Sequence, residues 1–174
     1  IFNHQNFLDI IQNFIVFEPV DGKVIKKLAR YQQFRAVHKT IERIKTGKTQ
    51  KDKGGVIWHT QGSGKSLTMV FLAIKMRRDP ILKEYKLVFI TDRKQLDGQL
   101  TATFERTQGE TVHHAKKVSE LKELLQKDSS DLVTAMMQKF QESETDFDFP
   151  ELNTSEKIIV LADEAHRSQY GILG

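Results

Sequence analysis

The chain has 174 residues, 39% hydrophobic and 29% charged, with a net charge of +4 and no cysteine. That length suits one domain with a full hydrophobic core. The lack of cysteine excludes a disulfide or cysteine–zinc framework. No apolar stretch is long enough for a membrane helix and no signal peptide is visible, so a soluble, cytoplasmic protein with no membrane contact is expected.

In chain order, Phe7, Leu8, Ile11, Phe14 and Ile15 share one helical face, and Phe34, Val37, Ile41 and Ile44 share another. Residues 23–53 hold eleven Lys/Arg against two acids. Such a segment suits nucleic-acid phosphates, and equally a solvated helix face with a Lys-rich loop. Residues 46–55 are polar, Lys- and Gly-rich and read as a mobile loop. A strand is predicted at 55–59. A buried crossover helix carrying Leu67, Val70, Phe71 and Ile74 follows, stopped by Pro80. Strands are predicted at 86–91, 132–137 and 157–162, with an amphipathic helix through Val118, Leu121, Leu124 and Leu125. Residues 141–156 contain six acids and no Lys or Arg, so the rest of the chain carries +10. With Pro150, this stretch reads as an exposed or disordered insertion. Alternating strands and helices predict an α/β fold, a mostly parallel sheet with helices on both faces. Ligands of such sheets bind beyond the carboxyl ends of the strands.

Two motifs fall at such ends. The first is His59-Thr60-Gln61-Gly62-Ser63-Gly64-Lys65-Ser66. Glycines there let backbone N–H groups approach a phosphate. Lys65 can reach the β/γ-phosphates, and the Ser66 hydroxyl can sit on Mg²⁺ where the next helix begins. The full pattern G-x-x-x-x-G-K-[ST] is not met, because His59 stands where the first Gly belongs. The second is an apolar run, residues 158–162, ending in Asp163-Glu164-Ala165-His166. The run reads as a strand buried on both faces. Asp163 is placed to hold Mg²⁺, directly or through water, and Glu164 to orient or deprotonate an attacking water.

Asp163-Glu164-Ala165-His166 is the DEAH form of the Walker B motif. With Gln61–Ser66 it resembles the first RecA-like, P-loop NTPase domain of a superfamily 2 helicase or translocase. Five segments in one order sharpen the likeness. These are 30–37 (RYQQFRAV), 58–66 (WHTQGSGKS), 90–99 (ITDRKQLDGQ), 138–140 (QKF) and 162–171 (ADEAHRSQYG). The series is similar to the R (HsdR) subunit of type I restriction–modification enzymes, from about Phe7 to Gly171. The chain then reads as a piece of a longer subunit. Residues 1–50 form a helical lead-in with the Q-motif, and 51–174 a first RecA-like ATPase domain.

The resemblance implies ATP and Mg²⁺ as cofactors, and hydrolysis that drives translocation on double-stranded DNA. It implies cleavage by a separate nuclease domain, and M (methyltransferase) and S (specificity) subunits as partners. Phosphates would lie in the loop of Thr60, Gln61, Gly62, Ser63, Gly64, Lys65 and Ser66. The catalytic set would be Lys65, Asp163 and Glu164. Gln33, three residues before Ala36, would pair with the adenine edge, with Gln32 a competing candidate and Arg30 assisting the base or the phosphates. Arg93, Lys94 and Gln99 resemble motif Ia, and Gln138 and Lys139 motif Ib; both touch DNA in the family. Ala135-Met136-Met137 stands where threonines usually precede that Gln, which removes a threonine–phosphate contact. His166 would couple the nucleotide and DNA sites. Asp21-Gly22-Lys23 and Glu120-Leu121-Lys122 spell part of a nuclease motif by chance, with no partner carboxylate on a preceding strand. No arginine finger or later helicase motif is found, so the chain alone is expected to hydrolyse ATP poorly. Another superfamily 2 helicase and a degenerate P-loop binding domain are the alternatives.

Overall fold

The computed structural model describes residues 3–20, 22–91, 94–107, 110–136 and 151–163. The chain forms two compact units, 1–82 and 83–174.

The first unit begins with α1 (His4–Asn13), capped by the Asn3 side chain, which accepts from the Gln5 N–H at 3.0 Å. A hairpin follows, β1 (Ile15–Val20) and β2 (Lys23–Leu28), paired from Ile15↔Leu28 to Val20↔Lys23. That register leaves a two-residue connection, where Gly22 sits at φ +75°. Then come α2 (Tyr31–Thr46), α3 (Gln50–Lys53) and α4 (Lys65–Arg78). Phe14 is the hub of the core: its ring lies 4.8 Å from Phe34, 5.6 Å from Phe71 and 5.8 Å from His38. Val37, Ile41 and Ile44 of α2 and Val70 to Ile74 of α4 are buried, as their periodicity and low charge predict.

Three expectations are corrected in this unit. Phe7, Leu8 and Ile11 are exposed, and Phe14 and Ile15 lie beyond the end of α1. The helix docks instead through Asp9 and Asn13. The Asp9 carboxylate accepts from Lys75 Nζ and Asn13 Nδ2 and meets His38 Nε2, each at 2.6 Å, and Asn13 Oδ1 accepts from Arg78. Second, residues 46–55, read as a mobile loop, are not loop throughout. Thr49 and Asp52 cap each other's backbone and nucleate α3. Third, residues 55–59 join no ladder among the described residues, and Val56 and Trp58 are exposed. A strand exists through hydrogen bonds to a neighbour, and this segment has no such partner there.

The second unit carries β3 (Lys86–Thr91), α5 (Lys94–Thr107), β4 (Val112–Ala115), α6 (Val118–Gln126), β5 (Leu132–Met136) and β6 (Ile158–Ala162). The sheet order is β4-β5-β3-β6, parallel throughout. The crossovers β3–α5–β4 and β4–α6–β5 run in opposite directions, so right-handed connections put α5 and α6 on opposite faces. The packing agrees. Val88, Ala115, Val133 and Ala135 meet Leu121, Leu124 and Leu125 of α6. On the other face His114 bridges the hydroxyls of Thr134 and of Thr101 in α5. This is the expected α/β architecture. β3 is buried on both faces, as a parallel strand with two neighbours should be. The three strands predicted in this unit match, while β4 and α5 go unanticipated.

β6 corrects a fourth expectation. Ile158, Ile159 and Leu161 are only half-buried and Val160 (55%) and Ala162 are exposed, and β3 is its one neighbour among the described residues. Lys86 opens β3 with a buried side chain whose ammonium donates to the Leu124 and Lys127 carbonyls at the end of α6. Burial holds its pKa below the usual lysine value, against the pull of Asp131 and Asp128. Among the described residues no helix is long and apolar enough to cross a membrane.

Candidate phosphate-binding site

The loop ahead of α4 is built by its glycines. Gly62 sits at φ +75° and Gly64, the N-cap of α4, at φ +83°. L side chains avoid that region by roughly 1–2 kcal/mol. The Ser63 N–H donates back to the Thr60 carbonyl at 3.2 Å, closing the turn. The first α4 bond runs from Thr68 N–H to the Gly64 carbonyl at 3.0 Å. The N–H groups of Lys65, Ser66 and Leu67 come before it and have no helical acceptor. No side chain caps this end, and no acid lies in the first turn. The helix dipole there is thus unopposed and favours an anion. Two further groups await a partner: Ser63 Oγ and His59 Nδ1 are buried with no hydrogen bond. Buried polar groups are seldom left this way. Open N–H groups, a hydroxyl and the Lys65 ammonium together fit the oxygens of a phosphate chain. Thr60 and Gln61 are exposed on the rim.

Gln33 reaches this loop from α2. It is 2% exposed. Its Nε2 donates to the Gly64 carbonyl at 3.0 Å and toward the Ser63 carbonyl at 3.4 Å. Its Oε1 accepts from the Arg30 N–H at 2.8 Å, capping α2. Each end of the amide therefore has a backbone partner. Gln32 and Arg30 are exposed.

Asp163 ends β6. Its N–H donates to the Ile90 carbonyl at 2.8 Å, carrying the ladder one residue further, and its side chain is 3% exposed. Ser66, half-buried in the first turn of α4, and Asp163 are both oxygen donors that suit Mg²⁺, which otherwise keeps phosphate oxygens and water as ligands. Among the described residues no cluster of three or more His, Cys, Asp or Glu could hold a metal unaided. The loop lies in the first unit and Asp163 in the second. Glu164, His166, Arg93, Gln138 and Lys139 lie outside the described residues, as does the side chain of Lys94, which opens α5. Gln99 is half-buried on α5. The sequence reading misses the grip of Gln33 on the loop carbonyls and the buried hydroxyl of Ser63. No local pattern announces a contact across thirty residues.

Residues 32–174 match the SWI2/SNF2 ATPase family. The chain belongs to that family. Its relatives place it further, among the endonuclease (R) subunits of type I restriction enzymes. It is 40% identical to the HindI endonuclease subunit of Haemophilus influenzae, over 96% of this chain and 16% of that protein. It is 37% identical to the putative MjaIXP endonuclease subunit of Methanocaldococcus jannaschii, over 99% of this chain and 16% of that protein. A Mycoplasma pneumoniae protein, the C-terminal part of a putative MpnIIP endonuclease subunit, is 31% identical over 97% of this chain and 84% of its own length. The chain thus spans 16% of the length of the first two relatives.

Proposed function

We propose that this SWI2/SNF2 chain is the first ATP-hydrolysing motor domain of a type I restriction endonuclease subunit, with 1–50 as its lead-in and 51–174 as the domain itself. Hydrolysis drives movement along double-stranded DNA. Cleavage belongs to a nuclease domain elsewhere in the same polypeptide, and M and S subunits supply site recognition. The observation that carries this reading is the uncapped start of α4 behind two glycines at positive φ, with Lys65 and Ser66 as its first residues. In it the Thr60–Ser66 loop cradles the phosphates of ATP, and Lys65 neutralises charge that develops on the transferred group. Ser66 and Asp163 would hold Mg²⁺, which supplies further charge neutralisation when bound. Glu164 orients the lytic water, and His166 couples the site to DNA. Arg93, Lys94, Gln99, Gln138 and Lys139 contact the DNA backbone. Most of the catalysis is positioning and electrostatics.

The test is ATP-dependent displacement of a triplex-forming oligonucleotide, distant from a candidate site, by the full-length subunit with its M and S partners. Displacement that needs both ATP and the site supports the proposal. DNA-stimulated hydrolysis without site-dependent displacement assigns a general helicase instead. In the same complex Lys65→Ala is expected to abolish ATPase activity, and retained hydrolysis would rule out this loop as the site.

A further inference from the structure

We propose that α1 and the β1–β2 hairpin form a docking face for another domain of the same polypeptide, one outside the SWI2/SNF2 ATPase family. The identity of that occupant rests on the R-subunit reading above, while the face itself rests on exposure and register. α1 is inverted. Its polar residues Asp9 and Asn13 turn inward to Lys75, His38 and Arg78. Phe7, Leu8 and Ile11 are each more than half exposed. Ile11 follows Leu8 by three residues and Phe7 by four, so the three side chains share one stripe. Asp9 is the one Asp, Glu, Lys or Arg in the helix, so no charge interrupts that stripe.

The hairpin repeats the pattern. Residues two apart on a strand share a face. Val16 is buried, with the Glu18–Lys27 ion pair on its side of the ribbon. The register puts Ile15 against Leu28 and Phe17 against Lys26 on the other side, which Val24 continues. There Phe17, Val24 and Leu28 are each more than half exposed. A two-stranded hairpin is marginally stable by itself, and this one has no third strand among the described residues. Single exposed apolar side chains are ordinary. Six of them on two regular faces mark a protein contact. Lys26, exposed in the middle of the hairpin face, calls for a carboxylate on the occupant.

Two observations say what covers these faces. The chain spans 16% of the HindI and MjaIXP subunits, so most of a polypeptide of that kind lies outside it. The SWI2/SNF2 match starts at residue 32, past both faces, whereas the MjaIXP match takes in 99% of the chain and so includes them. α1 and the hairpin thus lie outside the ATPase match and inside the R-subunit match. An occupant with the same distribution is a domain peculiar to the R-subunit polypeptide, as opposed to a second motor domain. Tethering favours it, because a linked domain docks as an intramolecular event at high effective concentration.

The full-length subunit is made with p-benzoylphenylalanine in place of Phe7 or Phe17. A control carries it in place of Ile81, which is exposed within the ATPase-matched region. Each protein is irradiated alone and with the M and S subunits, and cross-linked peptides are sequenced by mass spectrometry. From Phe7 and Phe17 the cross-link should stay within one polypeptide. It should land outside residues 1–174 and outside the segment with the later helicase motifs, and Ile81 should give none there. Cross-links to M or S, to a second copy or to the later helicase segment overturn the proposal. So does the lack of any cross-link from both positions. Hydroxyl-radical labelling of the unsubstituted subunit serves if the substituted proteins do not fold. Phe7 and Phe17 should then be labelled several-fold less in the native subunit than after unfolding in urea. Labelling at the level that 53% and 60% exposure allows overturns the proposal. A failed displacement assay beside an intact in-cis cross-link refutes the motor reading and leaves this interface standing.

Discussion

Asp9 is the polar joint of the first unit, and Asp9→Asn tests how much that joint contributes. Its carboxylate accepts from Lys75 and Asn13 and meets His38 Nε2, all at 2.6 Å. A carboxylate only accepts, so Nε2 is the N–H side of that ring. Burial pushes the Asp9 carboxyl up, but the Lys75 and Asn13 bonds, the charge of Lys75 and the His38 bond outweigh it. The net result is a pKa below the usual 3.8. Hydrogen bonds to a charged group contribute about 1.5–3 kcal/mol against about 0.5–1.5 for neutral ones, so neutralising the acceptor of three costs roughly 3–4.5 kcal/mol before solvent screening. The side chains of Asp9 and Lys75 are 15% and 18% exposed and that of His38 39%, so solvent screens part of this. The expected loss is about 2 kcal/mol. With a urea slope of roughly 2 kcal/mol/M, the midpoint of the chain followed by circular dichroism should fall by about 1 M. The pH dependence has a definite sign. A depressed carboxylate pKa stabilises fully above the unfolded value and loses that contribution as pH falls through the folded one. The gap between parent and variant should therefore be full at about pH 5 and narrow progressively as pH falls below the usual carboxylate value. A midpoint shift below about 0.2 M, or a gap that widens on acidification, would refute the reasoning.

The other predictions concern a helix end and the loop glycines. Lys86→Met should cost about 1–3 kcal/mol, because the Leu124 and Lys127 carbonyls lose a shared buried donor. Faster amide exchange in the last turn of α6 is the readout, and unchanged exchange there would count against the role given to Lys86. A Cβ on Gly62 meets nothing within 4 Å. Gly62→Ala should therefore cost only its backbone strain, about 1–2 kcal/mol. Gly64→Ala carries the same strain and also drives into Gln33 Nε2 at 2.6 Å, so it should weaken tripolyphosphate binding more than Gly62→Ala does; the reverse order would contradict the described loop.

What is legible in the sequence follows from where the burial signal is local. β3 is legible because Leu87 to Ile90 form an unbroken apolar run, the pattern of a strand covered on both faces. β4 is not, since His113 and His114 interrupt it and only Val112 and Ala115 are buried. α5 hides its core contacts, Leu100 and Phe104, among Gly98 and three threonines. The hairpin does carry a signal, Asp21-Gly22, one of the strongest short-range marks of a two-residue turn, which a search for apolar periods passes over. α1 misleads for a different reason. Its apolar spacing favours Phe7, Leu8 and Ile11, yet the docking face is decided by cations on α4 more than sixty residues away. For the site, Gly62, Gly64, Lys65 and Ser66 are readable because phosphate cradling dictates residue types at fixed offsets.

The first unit also explains why the residues before the loop matter to it. α4 is held at both ends by elements that precede it in sequence. At its N-terminus Gln33 of α2 grips the Ser63 and Gly64 carbonyls. At its C-terminus Asp9 of α1 takes Lys75, Asn13 takes Arg78, and Lys45 of α2 pairs with Asp79 just past the helix. Lys75, Arg77 and Arg78 already suit the negative end of the helix dipole, so these contacts add position more than charge balance. Between the two ends the Phe14, Phe34 and Phe71 rings fill the space. A helix anchored at one end only could tilt or slide, and the directions of its open N–H groups would move with it. Anchored at both, it presents them in one orientation. In the first unit α1, α2 and the glycine loop therefore meet at the two ends of α4 and pack as one piece with it.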